Sequence, residues 1–381
     1  MRSLHADLLS KIGGNIDPAI RLVFTSQDGG TTYDYSFDPT VTTNRSESLT
    51  LRLEPFDEYC QIQLRNDDLA VPSLVGYYID LGLGANTDSG LRYGEFPRLW
   101  VKQQHTLSGG SKNGKKDLKV LLELEGVWAV LRELFVLIGT APFYNDNFGN
   151  FTGKTIYGIL EALLETFLYN MTGSIYDFTL DALGDQDDSI INSLVLEPVK
   201  DPERPLINQD APGHSNETSL ANYDTFVDVI AMLLGYTGSY LRADAGLSFK
   251  IIYPQSTDSV NETYYSSQSD GHVFYENTDR EFLKIPNRVK VFGDTSEDQD
   301  WSSFVEGEAF SDDWTDSVYT GEYMHNLEIH RFGRGISQAA ADALATFKLN
   351  KSLAETFAGR TVIPFDPRVE LYDRVRILDT R

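Results

Sequence analysis

From residue 20 to residue 124, apolar and polar side chains alternate with a period of two, the signature of strands with one buried face. Ile20-Arg21-Leu22-Val23-Phe24 predicts a first strand, ended by the turn composition Gln27-Asp28-Gly29-Gly30. Leu49, Leu51 and Leu53 alternate with Thr50, Arg52 and Glu54. After Pro55-Phe56-Asp57, Cys60, Ile62 and Leu64 alternate with Gln61, Gln63 and Arg65, which predicts a hairpin with Cys60 on its apolar side. Tyr77, Ile79, Leu81 and Leu83 make another strand, Leu99 and Val101 mark a further one, and Leu118, Val120, Leu122 and Leu124 make the clearest. Five or more such strands joined by turn signals predict a small barrel or sandwich. Ser108-Gly109-Gly110-Ser111-Lys112-Asn113-Gly114-Lys115-Lys116 reads as a flexible basic loop, either a solvated hairpin tip or a contact to an acidic neighbour in an assembly.

Near Glu125-Gly126-Val127-Trp128 the period lengthens to about 3.6. Leu131, Leu134, Phe135 and Ile138 fit either a helix or a wide strand. Ile156, Ile159, Leu160, Leu163, Leu164 and Phe167 predict a helix over 154–170 with Thr152 or Thr155 as its cap. Phe226, Val229, Ile230, Met232 and Leu233 predict a second from Tyr223 to Leu234, followed by strands at 238–242 and 247–252 around the turn Ala243-Asp244-Ala245-Gly246. The polar, Pro-containing stretch from Asp201 to Thr218 between the helices reads as a long loop. In the last third, Asn287-Arg288-Val289-Lys290-Val291-Phe292-Gly293 is a strand. Ser337 caps a helix whose stripe is Ile336, Ala340, Leu344 and Phe347, continued by Leu349, Leu353 and Phe357, with Gly359 suited to its C′ position. Ala339, Ala341, Ala343 and Ala345 add little bulk, so this helix can lie close to a sheet. Thr361-Val362-Ile363 and Arg368 to Leu378 are extended; Asp373 breaks the alternation of the second and implies a bend or bulge.

At 381 residues, two or three domains are expected, and 41% hydrophobic content excludes a disordered chain. The net charge of −25 argues against binding nucleic acid through its phosphates. It suits a cationic partner or a surface that repels DNA. One cysteine cannot form an internal disulfide. Met1 to Asp7 lacks an apolar signal core, and no apolar run approaches the ~18 residues of a membrane helix, so synthesis in the cytoplasm without stable membrane insertion is expected.

Catalytic patterns are mostly missing. Gly82-Leu83-Gly84 begins like a dinucleotide loop, but Thr87 stands at the third glycine position within a strand pattern. Phosphate loops, nucleophile elbows and His-Glu-x-x-His are absent. His325 and His330 are poorly spaced for zinc, and Asp185, Asp187 and Asp188 lack a calcium loop's glycine and glutamate, since Ile190 and Leu196 stand there. With 57 acidic residues, chance carboxylate pairs are inevitable. No catalytic, cofactor or metal site is expected.

The strand at Asn287, the Ala-rich helix and the stretch "TVIPFDPRVELYDRVRILD" from Thr361 together resemble the last domain of phage baseplate-hub or tail-tip hub proteins, similar also to the hub part of type VI secretion spikes. The helix–strand–turn–strand order after Tyr223 looks like the peripheral domain of the same family. The resemblance implies an α+β, mainly β chain: a tube-type β-barrel over 1–126, an α+β peripheral domain over 127–256, and a second tube-type barrel with the Ala-rich helix over 257–381. It further implies a homotrimer whose six barrels cap the tail tube, contacting tube and distal tail or baseplate proteins, with a spike or fibre below, in a virion assembled in the bacterial cytoplasm.

Between Val291 and His330 there is no lysine or arginine. Asp294, Glu297, Asp298, Asp300, Glu306, Glu308, Asp312, Asp313 and Asp316 lie there among Trp301, Phe304, Phe310, Trp314, Tyr319 and Tyr323. The span is either a solvated loop with anchoring aromatics or an acidic lining of the DNA conduit, with those nine carboxylates facing the lumen. A carbohydrate-active or cell-wall-degrading tail enzyme and a receptor-binding adhesin are the rival readings.

Overall fold

The computed structural model describes residues 1–12, 16–112, 115–134, 155–183, 189–193, 225–255, 258–267, 272–280, 287–294, 304–311, 327–334, 337–356 and 358–379. The first third supplies strands β1 (Pro18–Arg21), β2 (Val23–Thr25), β3 (Thr32–Asp34), β4 (Ser46–Glu54), β5 (Asp57–Arg65), β6 (Tyr78–Thr87), β7 (Gly90–Lys112) and β8 (Lys115–Gly126). They form one antiparallel eight-stranded sheet in the order β3-β2-β6-β7-β8-β5-β4, with β1 also on β6. The alternating residues do share a face: Cys60, Ile62, Leu64, Ile79, Leu81, Val120, Leu122 and Leu124 are buried together with Leu22 and Phe24. Cys60 is a small core residue.

The expected barrel is not formed. The sheet ends at β3 on one side and β4 on the other. A period of two assigns faces, not partners, so closure could not be read from it. Two local expectations also change. The segment 20–24 is divided at Leu22, whose N–H is held 2.9 Å from Ser36 Oγ instead of a neighbouring strand. The basic loop is instead a continuation of β7 and β8, paired through Ser111↔Lys116 and Lys112↔Lys115.

Helix α1 (Ala6–Leu9) lies on β6 and β7. Val127–Glu133 is helix α2, which resolves the helix-or-strand ambiguity over its residues. The next helix runs as α3 (Ile156–Glu161), a π-helical stretch (Ala162–Phe167) and α4 (Leu168–Thr172), with Thr155 Oγ1 accepting from Gly158 N at 3.2 Å as its cap. Short β9 (Thr179–Leu180) and α5 (Ser189–Ser193) follow. Helix α6 (Phe226–Gly235) starts with a full capping box between Thr225 and Asp228. Strands β10 (Tyr240–Ala243) and β11 (Ser248–Ile252) pair across the turn at Gly246, whose φ of +67° suits glycine. The loop expected over Asp201–Thr218 and the acidic triplet at Asp185 lie outside the described residues.

The last third holds β12 (Glu262–Tyr265), β13 (Glu276–Arg280), β14 (Arg288–Asp294), β15 (Phe304–Phe310), β16 (Leu327–Arg334), α7 (Gln338–Thr356), β17 (Ala358–Val362) and β18 (Val375–Leu378). Among the described residues it forms three small sheets, β12-β18, β13-β17 and β15-β14-β16, and none of them closes into a barrel. Ser337 caps α7 as expected, accepting from Ala340 N at 3.2 Å. Gly359 is not its C′ residue: it sits inside β17, opposite Asp279. Arg368 to Leu378 is not one strand either, since Tyr372 turns with φ 70° and Asp373 Oδ2 accepts from Glu370 N at 2.8 Å. The break in alternation at Asp373 marked this turn.

A second, larger core runs from the back of the first sheet through the helices to α7, taking in Trp128, Leu160, Phe226, Phe249, Val291 and Leu344. Trp128 stands edge-on to Phe56 (4.9 Å) and to Phe249 (5.2 Å), and Trp100 to Tyr176 (5.6 Å). Such pairs add roughly 0.5–1.5 kcal/mol each beyond their buried area.

Candidate functional site

The acidic span begins and ends in the sheet β15-β14-β16. Register puts Val289 opposite Ala309 and Val291 opposite Gly307, on the face that α7 covers. Ala341, Leu344, Ala345 and Leu349 are the buried side of that helix, and the alanines allow a close approach. At Gly307 the backbones nearly touch: a Cβ there would lie 2.6 Å from Asp342 N. The opposite face carries Arg288, Lys290 and Phe292 on β14 against Phe310, Glu308 and Glu306 on β15. Glu308 pairs with Arg288, and Glu306 with Lys290. Phe310 (57% exposed) and Ile329 (55% exposed) add apolar surface to this solvent-facing side.

Of the nine carboxylates, Asp294 ends β14, Glu306 and Glu308 lie on β15, and Glu297, Asp298, Asp300, Asp312, Asp313 and Asp316 lie outside the described residues. Part of the span is therefore strand rather than loop. Two of its acids are neutralised by cations just upstream of the Lys- and Arg-free stretch. His325 lies outside the described residues, and His330 Nε2 is 2.8 Å from Glu328 Oε1.

Two charged clusters that periodicity does not disclose join distant parts of the chain. Glu370 (8% exposed) receives Arg2 at 3.3 Å and Arg242 at 3.1 Å, and Arg2 also donates to Pro367 O at 2.8 Å while stacking 3.7 Å over Phe96. Burial raises the Glu370 carboxyl and outweighs the pull of Arg242 and Arg2, and burial likewise lowers the Arg2 guanidinium. The second cluster surrounds Asp366, which accepts from Tyr264 Oη at 3.0 Å and from Arg368 Nη2 at 2.7 Å. Arg368 also reaches Glu262 at 2.7 Å and His272 Nδ1 at 3.2 Å. Burial pushes the Asp366 carboxyl up, but its bonds to Arg368 prevail and hold it below the ordinary value; the Tyr264 phenol is raised by burial first and by Asp366 second. Apart from the local Arg368–Asp366 pair, these ion pairs and hydrogen bonds join residues 96 or more apart in the chain, with every cation facing an anion.

Glu58 is a third buried carboxyl, and its signal was present in the sequence. Positions 58, 60, 62 and 64 share the apolar face of β5, so the alternation itself places Glu58 inside. There Oε2 accepts from Val127 N at 3.0 Å and closes the start of α2. Gly126 makes room, because a Cβ there would lie 2.5 Å from the Glu58 Cβ. Burial raises the carboxyl to about 8 against the smaller opposing effect of the Val127 and Trp128 N–H groups.

A scan against protein-family models gives no match, and a search of curated proteins gives none. Among solved structures, the chain is similar to the tail protein from Neisseria meningitidis MC58, with a TM-score of 0.56 and 12% identity over 95% of this chain and 87% of that one. It is also similar to the 43 kDa tail protein of prophage MuSo2 from Shewanella oneidensis, with a TM-score of 0.52 and 9% identity over 96% and 89%. At such identities the likeness is one of fold, and it extends over nearly the whole chain: the mainly β, α+β architecture described above is one that tail proteins also adopt.

Proposed function

We propose that this chain is a structural protein of a phage tail, and specifically a hub protein that forms a trimeric ring capping the tail tube. The observation that carries the reading is the fold shared with two tail proteins over 95% and 96% of the chain. The resemblance of the 287–379 block to hub proteins was drawn from sequence and supports the same assignment. In this reading the three segments 1–126, 127–256 and 257–381 are the hub's inner, peripheral and inner parts. Three copies adapt a sixfold tube to a threefold spike or fibre, and the acidic span lines the channel. A closed ring suits a chain whose large sheet ends in the unclosed edges β3 and β4, because ring closure gives edges partners without open-ended growth. The role is structural rather than enzymatic: the buried acids cap a helix or pair with arginines, which are scaffold duties.

Light scattering of the purified chain at high concentration, and of particles taken apart gently, tests this. Threefold mass is expected. A stable dimer or a sixfold ring refutes the trimeric hub. Reproducible glycan or peptide cleavage that a single Asp or Glu substitution abolishes refutes the structural reading itself.

A further inference from the structure

The long hairpin formed by β7 and β8 leaves the body of the protein. Strand β7 loses β6 after Trp100, and β8 loses β5 beyond Lys119. A register shift between Val101 and Gln103 marks the departure. Bulges at such places turn a strand away from its sheet. The last tethers are Gln104 on β7, accepting from Leu74 N at 2.8 Å and donating to Pro72 O at 3.0 Å, and Leu118 on β8, whose O accepts from Asn66 N at 2.8 Å and whose N–H donates to Asp67 Oδ1 at 3.2 Å. Every residue of β7 from His105 to Gly109 is exposed, and Asp117 to Lys119 on β8 are half-buried. The first three residues of β8, Lys115 to Asp117, and the end of β7 that pairs with them overhang the sheet by about 10 Å at ~3.3 Å per residue.

A two-stranded ribbon with no third strand beside it is marginal in water and gains stability from a partner. The composition of this one is also unlike the rest of the chain. Residues 108–116 hold three lysines and no acid, in a protein of net charge −25. The partner the arm suits is therefore acidic, and a second copy of this chain supplies such a surface. Arm and acceptor are different surfaces of the same chain, so their contact is head-to-tail, the kind that closes rings. We infer that the β7–β8 arm docks on the acidic surface of the next copy and holds adjacent copies together. This rests on the ring assembly proposed above and names the element that makes it.

The test is sedimentation velocity of the full chain in about 0.1 M and about 1 M salt, where the Debye length is about 10 Å and about 3 Å. Wild type is compared with K112E/K115E/K116E and with a shortened arm in which residues 109–117 are replaced by Asn-Gly, a turn that fits a two-residue hairpin. Circular dichroism and urea midpoints of both variants should match wild type, since the altered rungs pair with each other. Wild type should associate at the lower salt and weaken at the higher, and both variants should associate at least about tenfold more weakly. Variants that associate like wild type overturn the inference, as does a wild type that stays monomeric at about 100 µM. Weakening by the shortened arm but not by charge reversal or salt overturns the acidic partner. A trimer that persists in both variants refutes the arm's role while leaving the hub reading intact. A twofold assembly that depends on the arm upholds its role and refutes the hub.

Discussion

Gly307→Ala is a sharp test of how α7 sits on its sheet. An added Cβ would lie 2.6 Å from Asp342 N and closer still to the Ala341 carbonyl, and both obstacles are backbone. Ordinary contact begins at 3.4 Å, so helix and strand must part by about 1 Å. That shift would loosen Leu344, Ala345 and Leu349 against Val289, Val291 and Val305, all now buried. Overpacking of this kind costs roughly 1–3 kcal/mol, and the stiffness of two backbones favours the upper end. Alanine recovers roughly 0.5–1 kcal/mol of backbone entropy within a strand. The net loss is then about 2 kcal/mol, read as a lower urea midpoint with unchanged slope. Gly235→Ala is the matched control, because nothing lies within 4 Å of its added Cβ at the end of α6. It should be neutral or stabilising by up to about 1 kcal/mol. If Gly307→Ala proves as stable as wild type, or the two variants behave alike, the close helix–strand packing is wrong.

Glu58 makes stability depend on pH. Its folded-state carboxyl, raised from 4.5 to about 8, holds a proton that the unfolded chain releases earlier. Its contribution is fully present below about 4.5 and is lost as pH rises through about 8, with a total on the order of 4–5 kcal/mol. Glu58→Gln should flatten urea midpoints between about pH 5 and about pH 8; an equally steep decline in the variant refutes the assignment. For the conduit, reversal of Glu306 and Glu308 is confounded by their pairing with Lys290 and Arg288, so Asp312, Asp313 and Asp316 are the better set. Reversing those three should leave particles assembled and slow DNA release, most at low salt. Blocked assembly, or release at the normal rate, refutes the lumen-facing reading.

The parts of the fold legible in the sequence were those set by local periodicity and capping. Cys60, Ile62 and Leu64 marked the buried face of β5, Phe226, Val229, Ile230 and Leu233 marked α6 though not its start at the Thr225 cap, and Ser337 with its alanines marked a helix able to approach a sheet. What stayed hidden depends on pairing between distant segments. Nothing local tells β12 that its partner is β18, over a hundred residues on, or that Gly359 will pair with Asp279 rather than end a helix. Arg2, Arg242 and Glu370 look like ordinary surface charges until three chain segments converge on them. The end of the β7–β8 hairpin was placed by its turn-like composition, but its strands were read as too short because Gly, Ser and Lys are loop-like, whereas the pairing of their backbones follows from the strands that lead into them.

The charge balance decides how such a chain can assemble. Several cations are engaged within the molecule: Arg21 with Glu95, Arg45 with Asp68, Arg98 with Asp80, Lys119 with Glu47, and Arg368 with Asp366 and Glu262. The exposed ones among these add about 0–1 kcal/mol each to stability, and together the pairs leave a surplus of acids. Copies of net charge −25 therefore repel one another at long range, and salt relieves that repulsion first. A contact between the basic arm and an acidic neighbour acts at a few ångströms and survives until the Debye length shrinks to about 3 Å near 1 M. The two effects give salt opposite signs. Association should therefore rise from very low ionic strength, pass through a maximum near about 0.1 M, and fall toward about 1 M. In the shortened-arm variant the falling limb should vanish, because only the long-range repulsion remains for salt to screen. A wild-type curve that rises throughout would mean that apolar contacts alone hold the copies together.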